Sequence, residues 1–188
     1  MSAALDFLEE HPANMIVLAT RRHEGWADRF RRRVAEPLAR ESKLMTLFVR
    51  DGTRGFVDPA SGRLSLNTIL VPVDRRPEPQ PAIDAAGRFL DMLGLKGVAC
   101  KTVHAGSSGK PPRLKLKWPA GREADWEALA VEGPPVEGIL KTAEKVRADL
   151  VVMATDGHQG FMDALRGSVT EQVLRAAPCP LLAVPAGS

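Results

Sequence analysis

The sequence contains little of what disulfide-rich, zinc-binding or membrane-spanning proteins require. Its 188 residues include two cysteines, Cys100 and Cys179, with no CxxC pair, so neither a disulfide framework nor a zinc site is indicated. No apolar run approaches the ~20 residues that a membrane-spanning helix needs. The first residues lack the basic segment followed by an apolar core that is typical of a signal peptide. These absences predict a cytoplasmic protein that is not inserted in a membrane.

A strong charge of either sign is also missing. The chain has 26 lysines and arginines against 23 aspartates and glutamates, a formal net charge of +3, which is too small an excess to indicate a nucleic-acid-binding protein. The histidines show no metal-ligand spacing, and the phosphate-loop pattern GxxxxGK does not occur. No serine or cysteine nucleophile lies beside a base and an orienting acid. We therefore expect no metal site and no enzymatic activity, and we rank a slow nucleotide hydrolase below a binding protein.

What the sequence does contain is an internal repeat. Residues 13–50 align without a gap on residues 148–185, at an offset of 135 residues, and roughly a third of the aligned positions are identical, against ~5–10% for chance pairing. The identical pairs include Ala19 and Ala154, Thr20 and Thr155, His23 and His158, Glu36 and Glu171. The N-terminal segment is therefore a second copy of the C-terminal unit.

Each copy has the pattern helix, strand, loop, helix, strand. In the downstream copy, helical spacing over 136–146 is followed by the apolar run ADLVVMAT, a helix over 169–177 and the short strand PLLAVP. Upstream of that copy, NTILVPVD predicts a strand, 81–93 a helix, and 98–105 and 126–132 two further strands. Alternating strands and helices favour a parallel sheet.

The predicted fold is therefore α/β, with an open, doubly wound, parallel five-stranded sheet. We place this complete domain in residues 66–188 and a degenerate α-β-α-β half-domain in residues 1–50, with a turn-rich linker over 51–65. Residues 107–122 replace a crossover helix with a Gly-, Pro- and Lys-rich stretch in which RLKLKW alternates charge and leucine. That alternation predicts a hairpin or an extended flap, and a mobile surface loop explains it equally well.

Two strand ends carry the residues that could contact a ligand. Asp74 follows LVPV, and glycines follow LVVM at Gly157 and Gly167, the second of which precedes Ser168. Ser168 and Glu171 have capping-box spacing, so a helix N-terminus with unpaired backbone N–H groups is expected there. Backbone amides beside glycines can hold phosphates. On spacing alone, ordinary turns and a helix cap explain these residues as well as a ligand site does.

The upstream copy lacks these features. Gly157, Gly167 and Ser168 are matched there by Arg22, Arg32 and Arg33. An arginine does not readily adopt the backbone conformations open to glycine, so the phosphate site is absent while the buried periodicity is retained. The arginines could instead bind an anion or RNA, but acidic residues lie among them and favour a solvated surface with ion pairs. The upstream copy therefore serves to extend the sheet.

The stretches ILVPVD, ADLVVMATDG and GSVTEQVLRAAPCPLLAVP, spread over residues 67–185, resemble the universal stress protein family. The N-terminal segment resembles the back half of a first domain in a tandem member. The resemblance implies a Rossmann-like, nucleotide-binding α-hydrolase-like sheet that binds ATP or another adenine nucleotide, in a stress-response protein that dimerises through its last strands. The site residues that it implies are Pro72, Asp74, Ala105, Ala154, Gly157, Gly167, Ser168 and Val169.

By this resemblance Asp74 contacts the adenine end, Ala105 lines the adenine pocket, and Gly157, Gly167 and Ser168 hold phosphates. Two positions depart from the family pattern. Ala154 stands where the first motif glycine is expected, so that its methyl group would crowd the sugar, and Asp156 places a carboxylate near the phosphates. These departures favour the alternative, a nucleotide-free structural or interaction protein of the same fold.

The half-domain also predicts assembly through strand edges. We expect the last upstream strand, 44–49, to pair with the last downstream strand, 181–184, within one chain or between two. The inner upstream strand then lacks a second neighbour. Because a bare strand edge invites pairing with another chain, a homo-oligomer is expected.

Overall fold

The computed structural model describes residues 3–20, 44–107, 111–122, 125–155 and 168–186. Within them, seven strands form one sheet in the order β1-β2-β7-β6-β3-β4-β5. The strands are β1 (Met15–Thr20), β2 (Met45–Arg50), β3 (Thr68–Pro72), β4 (Ala99–Gly106), β5 (Trp126–Glu132), β6 (Leu150–Thr155) and β7 (Leu181–Pro185). The helices are α1 (Ala3–Glu10), α2 (Gln80–Met92), α3 (Pro135–Lys145) and α4 (Val169–Ala176).

Five of the strands confirm the predicted doubly wound parallel sheet. β7, β6, β3, β4 and β5 are neighbours in that order and all run parallel. The central strands β3 and β6 are almost wholly apolar because both faces are covered, and Ile69, Val71 and Val152 are fully buried. Helices α3 and α4 pack on one face of the sheet and α2 packs on the other. None of the helices in the described part of the chain is long and apolar enough to cross a membrane.

The upstream repeat continues the same sheet. β1 pairs in parallel with β2, as β6 pairs with β7, and β1 begins and ends 135 residues before β6. β2 then pairs antiparallel with β7, with Leu47 opposite Leu182. This confirms, within one chain, the predicted pairing of the two last strands. The predicted second helix of the half-domain falls in residues 21–43, outside the described residues.

Arginine side chains anchor the linker and β2 to the downstream repeat. Arg50 donates hydrogen bonds to the carbonyl oxygens of Arg175 and Ala177 at the end of α4. Arg54 donates to the carbonyl oxygens of Arg147 and Ala148, at 2.8 and 3.0 Å. These bonds cross the junction between the repeats, so side chains as well as the β2–β7 ladder hold the repeats together.

Residues 111–118, which we call the strap, are extended but belong to no ladder in the described structure. Their side chains alternate between exposed and half-buried, and Leu114 and Leu116 pack against the core on the α2 side. Gln80 pairs its side-chain amide with both backbone groups of Lys117, at 2.7 and 2.8 Å. The segment is thus the predicted extended flap rather than a hairpin, and it covers α2 in place of a crossover helix.

Candidate functional site

A cavity of about 190 Å³ opens at the carboxyl ends of β3, β4 and β6. From β3 the chain proceeds to β4 and β5 on one side, and later to β6 and β7 on the other. The cavity therefore lies at the topological switch point, where open α/β sheets bind ligands. Its lining consists of Pro72, Val73, Asp74, Arg76, Pro77, Val103, Ala105, Pro135, Ile139, Met153, Ala154, Thr155, Ser168, Val169 and Thr170.

The structure brings most of the predicted site residues to this cavity. Six of them line it, namely Pro72, Asp74, Ala105, Ala154, Ser168 and Val169. The other two, Gly157 and Gly167, lie outside the described residues. Residues that are more than 90 positions apart in the sequence thus meet at one edge of the sheet, because parallel strands end on the same side.

The inner part of the cavity is apolar. Val103 and Ala105 from β4 face Ile139 from α3, and all three are buried. α3 approaches β4 closely because residue 138 is a glycine, at which a Cβ would lie 2.7 Å from the Cβ of Ala105 and 2.9 Å from the nearer methyl of Val131. This narrow apolar space suits a flat ring rather than a charged group.

Hydrogen bonds to β4 hold the segment that follows β3 and forms one wall of the cavity. The backbone N–H of Val73 donates to the carbonyl oxygen of Val103 at 2.9 Å, and the Nδ1 atom of the buried His104 lies 3.2 Å from the Val73 carbonyl oxygen. Asp74 follows at the mouth of the cavity, where it is exposed and accepts a hydrogen bond from the Arg75 backbone N–H at 2.7 Å. His104 thus holds the segment that carries Asp74.

The N-terminus of α4 forms the opposite wall. Ser168 has extended backbone angles, φ −69° and ψ 162°, and its hydroxyl oxygen accepts the backbone N–H of Glu171 at 3.2 Å. This is the predicted serine cap. The Glu171 carboxylate accepts a hydrogen bond from Arg175 at 2.8 Å, one helical turn along α4. The first turn of α4 presents backbone N–H groups and the positive end of the helix dipole to the cavity.

Ala154 borders the cavity in a way that the sequence did not indicate. Side chains alternate along β6, and the methyl group of Ala154 belongs to the core cluster beneath α2, while Met153 belongs to the cluster on the α3 side. The methyl group therefore packs in the core beneath α2, although Ala154 also lines the cavity. The other departure from the family pattern, Asp156, lies outside the described residues.

Several lining residues were missed by sequence reasoning. Arg76 lies at the mouth of the cavity, two positions after Asp74. Its place in the loop after β3 was the only feature of the sequence that indicated a site residue. Ile139 was assigned only to the apolar face of a helix. Thr155 is buried and donates its hydroxyl to the carbonyl oxygen of Val184 at 3.3 Å, which ties the end of β6 to β7.

The described residues contain neither a metal site nor a reactive thiol at the cavity. The described residues contain no group of three or more His, Cys, Asp or Glu side chains that could hold a metal ion. Burial raises the pKa of the Cys100 thiol to about 11 and that of the Cys179 thiol to about 12, so both are neutral at physiological pH. Neither cysteine lines the cavity.

Comparison with curated proteins identifies relatives over parts of the chain. A universal stress protein of Methanocaldococcus jannaschii is 48% identical over 54 residues, which make up 29% of this chain and 32% of that protein. Universal stress protein Sll1654 of a Synechocystis species is 25% identical over 151 residues, or 72% of this chain and 96% of that protein. The first of these matches thus spans about a third of its relative.

Solved structures share the fold. A universal stress protein of Archaeoglobus fulgidus superposes with a TM-score of 0.68 at 17% identity, over 97% of this chain and 64% of that one. This chain thus spans less than two thirds of that protein's length. A universal stress protein solved in complex with cAMP superposes with a TM-score of 0.47 at 23% identity, over 65% of this chain and 99% of that one.

The profile of the universal stress protein family matches residues 66–185, which include β3 to β7, helices α2 to α4 and every residue that lines the cavity. The match covers more than half of the chain. The protein therefore belongs to the universal stress protein family.

Proposed function

We propose that the cavity binds the base of an adenine nucleotide, ATP being the ligand that we expect, and that the protein acts in the stress response through this binding rather than through catalysis. The observation that carries the proposal is the joint position of Asp74, Ala105 and Ser168 around one cavity at the switch point of the sheet.

The size and polarity of the cavity support a base rather than a whole nucleotide. At about 190 Å³ it is smaller than the roughly 300–1,000 Å³ of sites that enclose complete drug-sized ligands. Val103, Ala105 and Ile139 supply apolar walls for the two faces of a ring. Asp74, at the edge, offers a carboxylate that can accept hydrogen bonds from an amino group or a ribose hydroxyl.

The residues at the mouth of the cavity favour negatively charged groups on the ligand, such as the phosphates of a nucleotide. Arg76 is exposed beside it, and the N-terminal turn of α4 adds backbone N–H groups on the other side. The sequence places Gly157 and Gly167 in the loop that leads to this turn. Phosphates extending outwards from a seated base would meet the guanidinium group and the helix N-terminus.

The polar groups at the cavity support ligand binding without catalysis. Among the described residues that line it, Asp74 is the only carboxylate and no histidine or cysteine occurs. The Ser168 hydroxyl oxygen already accepts the N–H of Glu171 as a helix cap. This set provides neither a paired general base and acid nor an activated nucleophile.

Titration calorimetry with ATP, AMP and adenosine tests the proposal. We expect ATP to bind more tightly than adenosine, and Arg76→Glu to weaken ATP by roughly tenfold or more while sparing adenosine, since it replaces a phosphate-facing cation with an anion. Arg75→Glu is the matched control, because Arg75 does not line the cavity. Ala105→Leu should weaken all three ligands by filling the base space.

The result that overturns the proposal is clear. If the folded protein binds none of the three ligands at millimolar concentration, and carries no nucleotide after purification by mass spectrometry, it functions without a nucleotide as a structural or interaction protein. Steady ATP hydrolysis that tracks protein concentration and is lost in Ala105→Leu would instead overturn the non-catalytic part.

A further inference from the structure

A second cavity, of about 560 Å³, lies between the strap and the loop that joins β3 to α2. One wall comes from that loop and the other from residues 114–116 of the strap, with Ala186 beyond β7 completing the lining. Leu114, Leu116 and Ala186 pack against the core cluster on the α2 side of the sheet, so this cavity lies on that side. Its volume falls within the roughly 300–1,000 Å³ typical of sites for small molecules.

The strap wall of this second cavity is held in place by contacts within the fold. The side-chain amide of Gln80 donates to the carbonyl oxygen of Lys117 at 2.7 Å and accepts its backbone N–H at 2.8 Å, and it also donates to Asp84 at 2.8 Å. Trp118 stacks on Trp126 of β5, with ring centroids 4.8 Å apart. A ligand therefore meets a wall that is already ordered, which lowers the entropic cost of binding.

The second cavity carries an excess of positive charge. Arg75 and Arg76 border it from the loop and Lys115 from the strap, while Glu78 is the one carboxylate among the described residues that line it. All three cations are exposed, and within the described part of the chain none of them forms an ion pair. Positive charges gathered around a concave space attract anions.

The kind of cation indicates the kind of anion. An arginine guanidinium group matches the geometry of phosphate oxygens and can bind two of them at once, and lysine adds a mobile point charge. Two arginines on one wall and Lys115 on the other can contact different oxygens of the same phosphate. Three cations against one carboxylate leave two positive charges, which a doubly charged phosphate would neutralise.

The second cavity also has an apolar surface. Leu114 and Leu116 are half-buried, since one part of each side chain packs on the core and another part lines the cavity. Pro79 and Ala186 extend this surface. Inorganic phosphate would leave these residues without a partner, whereas a phosphate attached to a hydrocarbon group would cover them.

We propose that the second cavity is a further ligand site, which takes a small organic phosphate. The phosphate group lies among Arg75, Arg76 and Lys115, and the apolar group attached to it packs against Leu114 and Leu116. Arg76 borders both cavities, whereas Arg75 and Lys115 border only the second. The second site contains neither Asp74 nor Ala105, so it does not rest on the proposed nucleotide binding.

Titration calorimetry with phenyl phosphate tests the site. We expect phenyl phosphate to bind at least about fivefold more tightly than inorganic phosphate, because it alone has an apolar group to bury. Arg75→Glu and Lys115→Glu should each weaken phenyl phosphate by roughly tenfold or more, since each replaces a cation that faces the phosphate with an anion. Lys96→Glu is the matched control, because Lys96 is exposed just before β4, at the opposite end of the sheet. Circular dichroism establishes that each variant is folded.

AMP distinguishes two sources of the phosphate. It is titrated into Ala105→Leu, in which the base space of the first cavity is filled, and into Ala105→Leu combined with Arg75→Glu. AMP that binds the first variant and is lost in the second identifies the ligand of the second site as a nucleotide. Phenyl phosphate that binds Ala105→Leu while AMP does not identifies a phosphate ester without a nucleoside. Either result supports the site.

Two results overturn the proposal. One is a folded parent protein that does not bind phenyl phosphate at about 10 mM, and the other is an affinity for phenyl phosphate that both Arg75→Glu and Lys115→Glu leave unchanged. The two proposals fail separately. Lys115→Glu should retain ATP affinity, and a parent protein that binds phenyl phosphate but not ATP refutes only the nucleotide proposal.

Discussion

Gly138 and Ala105 lie so close that a Cβ built on the glycine would stand 2.7 Å from the Cβ of the alanine. This contact joins α3 to β4 and sets the distance between the two apolar walls of the cavity. Gly138 is buried at the end of the first turn of α3, inside the helix, where glycine normally weakens a helix relative to alanine. The close approach explains why a glycine is kept there.

Replacing Gly138 with valine should therefore damage both the fold and the cavity. The larger side chain would collide with Ala105 and Val131, and we expect the free energy of unfolding to fall by about 1–3 kcal/mol, with weaker adenosine binding because Ile139 is displaced. Urea unfolding and calorimetry measure the two effects. Gly55→Val is the control, since nothing lies within 4 Å of a Cβ at Gly55. Equal stability of the two variants would contradict the role assigned to the contact.

Asp149 should be a main electrostatic contributor to stability. It is 8% exposed, and its Oδ2 atom accepts the backbone N–H groups of Asn67 and Thr68 at 2.8 and 3.0 Å, while its Oδ1 atom lies 3.1 Å from Arg54. Asp149→Ala leaves these N–H groups without an acceptor, so we expect a loss of roughly 2–4 kcal/mol in the free energy of unfolding.

The ion pair between Asp91 and Arg122, exposed only on the Asp91 side, provides the control for Asp149. Asp91 is 68% exposed, and Arg122, whose side chain is 11% exposed, keeps its hydrogen bond to the Leu95 carbonyl oxygen, so Asp91→Ala should cost less than about 1 kcal/mol. Asp149→Asn keeps one acceptor oxygen, so its loss in the free energy of unfolding should lie between those of Asp149→Ala and Asp91→Ala. Thermal and urea unfolding measure the stabilities of the three variants. An Asp149→Ala protein as stable as Asp91→Ala would refute the role assigned to Asp149.

The two buried thiols predict how stability changes at alkaline pH. Their ordinary pKa is 9.0, and burial raises it to about 11 in Cys100 and about 12 in Cys179. In the unfolded chain the thiols ionise near pH 9, while the folded protein keeps them protonated, so unfolding releases protons from pH 9 up to about 11 for Cys100 and about 12 for Cys179. Their contribution to stability is complete below pH 9 and is lost as the pH rises through that window.

Urea unfolding at pH 8 and pH 10.5 measures this loss, and the paired variant Cys100→Ala/Cys179→Ala supplies the control. The chain has no tyrosine, so lysine is the main other group that titrates in this window, and it is present in both proteins. We expect the parent to lose about 2–4 kcal/mol more than the variant between the two pH values, given two thiols and ~1.4 kcal/mol per pKa unit for each. Identical pH profiles would show that the thiols are not buried as the structure describes.

Much of this fold could be predicted because its signals are local. Apolar runs such as LVVMAT predict buried parallel strands, and the repeat aligns β1 with β6 at the offset that the structure shows. The strap could not be placed, because its position depends on contacts distant in sequence. Gln80 pairs with Lys117, and Pro119 packs against α2 where a Cβ on Gly87 would lie 2.5 Å from it.

The candidate site was predictable only in part, and for a similar reason. Asp74 follows a strand and Ser168 caps a helix, so position in the chain identifies both residues. Arg76 and Ile139 reach the cavity only because a loop and a helix fold over the strand ends. The hydrophobic periodicity of the sequence does not predict this packing. The packing of the Ala154 methyl group also depends on strand phase in the folded sheet, which places it in the core cluster beneath α2, and the crowding of the sugar stays a prediction.

Ala154→Gly decides whether that alanine obstructs a nucleotide. The methyl group packs in the core cluster beneath α2, so its removal should lower the free energy of unfolding by about 1–2 kcal/mol through lost burial and added chain entropy. Because the methyl group packs in the core, the ATP dissociation constant should change by less than about threefold, or ~0.7 kcal/mol. Ala105→Gly is the matched comparison, since Ala105 packs on the α3 side with Ile139, and its loss should weaken adenosine measurably. If Ala154→Gly instead strengthens ATP binding tenfold or more, the methyl group crowds the ligand, and the nucleotide-free role becomes the better description of the natural protein.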